Sequence, residues 1–145
     1  MEEKEERDGA VRVGMVWGGI GGVVGLAVSL LGSLVGIFVA IFIGVSCGRR
    51  AAAATEKRAG ALSGLIGGAI AAPVYMVGSA LGALLGAREI GAARMAATLS
   101  EWLGTEVPAD EAWTFFLVSL ALSAILEAAV LILASTAAGA WTRRR

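Results

Sequence analysis

AGALSGLIGGAIAAPVYMVGSALGALLGA, residues 59–87, decides how this chain is read. Gly60, Gly64 and Gly68 recur at four-residue spacing, as do Gly78, Gly82 and Gly86, with Pro73 between the two triplets. From Gly60 to Gly78 is a whole number of turns at about 3.6 residues per turn, so both triplets are expected on one face of a continuous helix, with Ala71 between them. Inside its flanks the stretch carries no charge, and it is long enough to cross a bilayer. On a soluble helix each glycine would sacrifice roughly 0.8–1 kcal/mol relative to alanine. In lipid the same glycines let a second helix backbone approach closely enough for van der Waals packing to hold the pair.

Working outward, the whole chain has this character. Of its 145 residues 57% are hydrophobic and 17% charged, 21 are glycine, and the mean hydropathy is +0.79. Glycine is thus about double its usual share, at helical rather than linker or collagen spacing. Formal net charge is zero, which argues against a nucleic-acid surface. Histidine is absent, removing the commonest general base and metal ligand, and the one cysteine, Cys47, has no internal disulfide partner. Neither a metal nor a cofactor is expected, and one membrane domain over residues 11–142 is.

Residues 1–10 read as an acidic, solvated tail, with Glu2, Glu3, Glu5, Glu6 and Asp8 outnumbering Lys4 and Arg7. From Val11 to Gly48 only Arg12 is charged, too long a run for one crossing. It reads either as one protruding helix or as a tight hairpin turning near Leu31-Gly32-Ser33. Charge bias separates the two. Three crossings would set seven basic residues against five across the membrane, whereas four set ten against the two at Arg88 and Arg94. The positive-inside rule therefore favours the hairpin, with both termini cytoplasmic and residues 143–145 a basic end. Gly14, Gly18 and Gly22, and the ladder Gly32, Gly36, Ala40, Gly44, Gly48, extend the close-packing pattern into both halves. Cys47, at the expected boundary, is read as an unmodified small apolar residue in preference to an acylation site.

Downstream, Pro73 and Tyr75 fall near mid-depth, Pro73 as a static kink in preference to a hinge. Ala92, Met95, Ala96, Leu99, Trp102 and Leu103 share one side of a helical wheel opposite Arg94 and Glu101, the pattern of a short interfacial amphipathic helix ended by Gly104. It is read as a connector in preference to a lid. Pro108, Asp110 and Glu111 suit the start of a last span from Trp113 to Trp141, whose tryptophans sit where interfacial anchors belong.

Glu127 lies midway between those tryptophans, near the expected bilayer centre, where an ionised acid costs about 2.5–3.5 kcal/mol. Ser119, Ser123, Glu127, Ser135 and Gly139 form one inward stripe at four-residue multiples. With no lysine or arginine at matching depth, the carboxyl is expected to be neutral near pH 7. It should then donate a hydrogen bond, to Tyr75 or to a carbonyl freed by Pro73. Glu127, Ser123, Ser119 and Tyr75 form the candidate polar site. Its first reading is structural, a satisfied contact within the bundle; the second is a proton or cation site on a conduction path.

The segment Gly48-Arg49-Arg50, followed by Lys57-Arg58-Ala59-Gly60-Ala61-Leu62-Ser63-Gly64, resembles small glycine-rich four-helix prokaryotic membrane proteins of unknown function. The resemblance implies a first hairpin, a basic cytoplasmic loop, and a basic end after the fourth helix. It implies no activity, and it does not extend to the acidic start or to Glu127.

The expectation is therefore an all-α integral membrane bundle of four transmembrane helices with one interfacial helix, in the plasma or inner membrane. No nucleophile–base pair is visible, and the glycine run Gly19-Ile20-Gly21-Gly22-Val23-Val24-Gly25 follows no strand, so neither an enzyme nor a nucleotide site is expected. The expected role is a packing or assembly protein, contacting lipid and self-associating through a glycine face as a homo-oligomer. The alternative is a small channel or transporter component that uses Glu127.

Overall fold

The computed structural model describes residues 2–29, 33–55 and 59–142, and among these there is no strand. Five helices follow one another: α1 (Glu2–Val28), α2 (Ser33–Ala53), α3 (Gly60–Ile90), α4 (Ala92–Leu103) and α5 (Ala109–Thr142). All but α4 contain a stretch long and apolar enough to cross a membrane. The long run 11–48 is divided between α1 and α2, which pack antiparallel: Gly9 meets Ala54 and Gly21 meets Ile43. Residues 30–32 of the expected turn lie outside the described residues, as do Lys57, Arg58 and Arg143, Arg144 and Arg145 of the charge-bias argument. The residues read as an acidic tail are helical, α1 running from Glu2 without a break.

The bundle is built inside out relative to a soluble protein. Its interior is mostly small, with Ala40, Ala51, Ala71 and Ala72 buried around Ile43, Tyr75 and Leu131. Its largest apolar side chains point outward, Phe38 at 71% exposure and Leu133 at 68%. Water would penalise that surface at about 25 cal/mol per Å², whereas lipid would not, so the distribution is consistent with a multi-pass membrane protein.

Small residues set which helices meet. α1 and α3 run parallel: a methyl carbon at Gly14 would stand 2.7 Å from the Gly67 carbonyl oxygen, and one at Gly18 3.0 Å from the Ala71 Cα. α2 and α5 are also parallel, Gly44 lying against Leu131 and Gly48 against Ser135. α3 and α5 are antiparallel, Gly64 and Gly68 facing Ser135 while Gly139 faces Gly60. The triplets of α3 therefore do not serve one partner, as a shared face suggested. Gly60, Gly64 and Gly68 meet α5, whereas Gly78 and Gly82 meet Gly22, Leu26 and Ser29 of α1. The reason is inclination: α1 crosses α3 obliquely and takes over, farther along, the face that α5 occupies near the termini. Gly86 is half-buried and borders the space beside Ser29 and Arg94.

At the terminal end the Thr55 and Ser63 hydroxyls hydrogen-bond at 2.6 Å, tying the end of α2 to the start of α3. At the other end Gly91, at φ 80° and ψ 147°, breaks α3 from α4, and Gly104, at φ 67°, closes α4. Met95 and Leu99 are half-buried and Ala96 buried, whereas Trp102 of the same apolar side is 82% exposed. The Ser100 hydroxyl donates to the Ala96 carbonyl and accepts from the Val107 amide at 2.9 Å, fastening the turn that leads to α5. Asp110 and Glu111 occupy the first turn of α5, where the helix dipole favours acids.

Candidate functional site

A cavity of about 240 Å³ lies where α3 and α5 diverge. Near the termini these helices are held together by glycine contacts. The closest is a turn of α5 at Ser135, set between Gly48 of α2 and Gly64 of α3, whose hydroxyl donates to the Gly64 carbonyl at 2.7 Å. Beyond Leu131 no such contact between α3 and α5 is found among the described residues, and the gap is lined by Ser79 and Ala83 from α3 and by Ser119, Ser123 and Glu127 from α5. Gly25 and Ser29 of α1 and Gly36 of α2 complete the wall, with Phe116 and Leu120 as its bulky apolar side chains.

Glu127 marks the inner end. It is buried at 5% exposure, and its Oε2 has no hydrogen-bond partner. The other oxygen, Oε1, rests against Gly36, where any side chain would collide with it. The Tyr75 and Ser79 side chains lie beside the carboxyl. The expected hydrogen bond from Glu127 is not made through Oε2. Tyr75 donates its own proton to the Gly36 carbonyl, at 2.8 Å, across from α3 to α2. Tyr75 is thus held as a rigid wall while the carboxyl keeps an open valence.

Ser119 and Ser123 are half-buried on the cavity wall, so Glu127, Ser123, Ser119 and Tyr75 come together. Ser135, on the same stripe, lies below them in the α2–α3–α5 contact and does not reach the cavity. The sequence reading did not single out Ser79, Ser29 or Phe116 as lining residues. Ser79 follows Tyr75 by four residues and shares its side of α3, a signal open to notice. Ser29 and Phe116 are brought in by helix placement alone. Cys47 is fully buried, its Sγ 3.1 Å from where a Gly67 Cβ would stand, leaving no room for an acyl chain in this packing.

The cavity is blind toward the termini, closed by Tyr75, Ile43, Leu131 and the Ser135 clamp. Toward the α4 end, Ser29, Ala83 and Phe116 also border a second space of about 440 Å³ that reaches Glu89, Arg94 and Met95. One acid and one base thus border the mouth, and within the cavity the only charge-bearing side chain among the described residues is Glu127. Among the described residues no three histidine, cysteine, aspartate or glutamate side chains come together as metal ligands would. No protein-family model, no curated protein and no solved structure matches this chain.

Proposed function

We propose that this is a multi-pass protein of the plasma or inner membrane, not an enzyme, in which Glu127 takes up and releases a proton or small cation. The observation that carries this reading is a buried carboxyl with an unpartnered oxygen at the blind end of a mostly apolar cavity. Magnitudes favour it over a purely structural role. A polar contact between membrane helices contributes on average about 0.6 kcal/mol, and leaving a buried polar group unpaired costs about 1–3 kcal/mol. A residue kept only as internal glue would make its bonds, and Oε2 makes none. A blind cavity suits a carrier that exposes its site to one side at a time, and does not suit an open pore. With the termini in the cytoplasm, as charge bias asks, the cavity would face outward.

The packing or assembly role stands as the other reading. Gly64, Gly68, Gly78 and Gly82 face helices of the same chain, so a homo-oligomer would use a different surface. Proteoliposomes holding the wild type or Glu127→Gln test the proposal through proton and cation flux. Flux that depends on the wild-type carboxyl is the expected result. No flux in either protein, with Glu127→Gln the less heat-stable, would return Glu127 to a structural role.

A further inference from the structure

The chemistry of the cavity wall narrows what enters it. Two of its hydroxyls have already committed their protons to backbone carbonyls, Tyr75 to Gly36 at 2.8 Å and Ser29 to Leu26 at 3.0 Å, and so present only lone pairs to a ligand. Ser79 stands beside the Glu127 carboxyl, which adds further acceptor oxygens. Among the described residues no lysine or arginine lines the cavity. Such a wall offers a negative charge and no positive one, so it disfavours anions and rewards a cation that donates. Between the oxygens the wall is apolar, formed by Phe116, Leu120, Ala83 and Ala124. A bare alkali ion needs a ring of several oxygens in place of its water, whereas here they are spread over α1, α3 and α5 with carbon between them. An ammonium group on a small hydrocarbon body meets both kinds of surface. The volume of about 240 Å³ exceeds the ~150 Å³ that holds benzene and falls below the ~300 Å³ of drug-sized sites.

Resting on the reading of Glu127 as a cation site, we propose that the cavity binds one small organic ammonium ion in exchange for the Glu127 proton. A body of about six to ten heavy atoms fits the space. With a single carboxyl and no second charge on the wall, the site is electroneutral with either a proton or an ammonium, and not with both. On binding, the carboxyl O–H breaks heterolytically and its proton leaves to water. The carboxylate then pairs with the incoming R–NH3+, and no electrons are transferred. The Glu127 side chain needs only to turn about its terminal torsion, a soft motion, to bring Oε2 to the ligand.

Benzylammonium is the probe, added to the purified full chain in weakly buffered detergent micelles, with proton release read by an indicator dye and heat by calorimetry. The expected result is saturable release of about one proton per chain, as a single shared carboxyl requires, with none for benzyl alcohol. Glu127→Gln should abolish the release. Because Glu127→Gln also alters a buried group of the bundle, Ser123→Leu provides the second arm: it fills the cavity and keeps the carboxyl, and should weaken benzylammonium by about tenfold or more. Its thermal unfolding checks that the bundle is intact. An absence of saturable release with benzylammonium overturns the proposal. If sodium or potassium releases the proton instead, the ammonium class falls and the cation site stands. If liposome flux persists with no cation bound, the site carries protons alone and the proposal falls. Silence in both assays overturns both readings.

Discussion

Replacing Gly44 by alanine should destabilise the bundle, whereas the same change at Gly19 should not. A methyl carbon at Gly44 would stand 2.5 Å from the Leu131 carbonyl oxygen and 2.9 Å from the Ala134 Cβ. Ordinary contact is about 3.5 Å or more, so α2 and α5 must part by roughly 1 Å. Neither atom belongs to a flexible side chain, so the helix itself has to move. A gap of 0.5–1 Å forfeits about a quarter to a half of each dispersion contact it opens, and the fully buried Leu131 sits at that seam. Overpacking of this kind costs about 1–3 kcal/mol, against which alanine returns up to ~1 kcal/mol of helix propensity. Gly19 supplies the control, because a methyl carbon there meets nothing within 4 Å. The propensity gain is common to both variants, so their difference isolates the overpacking, about 1–3 kcal/mol. Unfolding of the purified proteins by dodecyl sulfate in mixed micelles, followed by tryptophan fluorescence, measures that difference. Equal stability of Gly44→Ala and Gly19→Ala would refute the claim that glycine contacts hold α2 to α5.

Two further outcomes are expected from the same titration. Tyr75→Phe removes the hydrogen bond to the Gly36 carbonyl and should lower stability by about 0.5–1.5 kcal/mol, so an unchanged midpoint would count against that bond. Gly91→Ala should cost more than Gly104→Ala. The φ 80°, ψ 147° of Gly91 lies close to backbone space that is essentially glycine's own, whereas the left-handed helical angles of Gly104 cost another residue about 1–2 kcal/mol. The reverse order would mean that the α3–α4 break bends differently.

How much of this was legible in the sequence depended on distance along the chain. The apolar spans, the amphipathic pattern of α4 and the stop at Gly104 are properties of one helix at a time, and periodicity carries them. So is the stripe through Ser119, Ser123 and Glu127, because four-residue spacing on α5 needs no knowledge of its neighbours. The break at Gly91 was overlooked, although a lone glycine between two helical patterns is a visible signal. What spacing could not tell was which helix each glycine meets. With small residues on several faces of α1, α2 and α3, many pairings satisfy close approach. Their inclination, which gives Gly64 to α5 and Gly78 to α1, is settled only when all four pack together. The cavity is a product of that inclination, so Ser29 of α1 and Phe116 of α5 could not be assigned to it from their own surroundings. Glu127 could be placed at mid-depth from sequence, but the bond that Tyr75 donates to the Gly36 carbonyl on a third helix could not.

The Ser135 clamp also bears on how the molecule comes together. α5 follows α2 and α3 in the chain, yet its Ser135 turn lies between them, against Gly48 on one side and Gly64 on the other. A membrane holding only the earlier helices would contain a groove floored by those glycines and awaiting a helix of matching shape. The later helix completes it by seating its Ser135 turn between the two, where the Ser135 hydroxyl reaches the Gly64 carbonyl. Until then the groove would stay open to any helix that offers small residues at the right spacing, so the α2–α3 pair is shaped for α5 before α5 is in place.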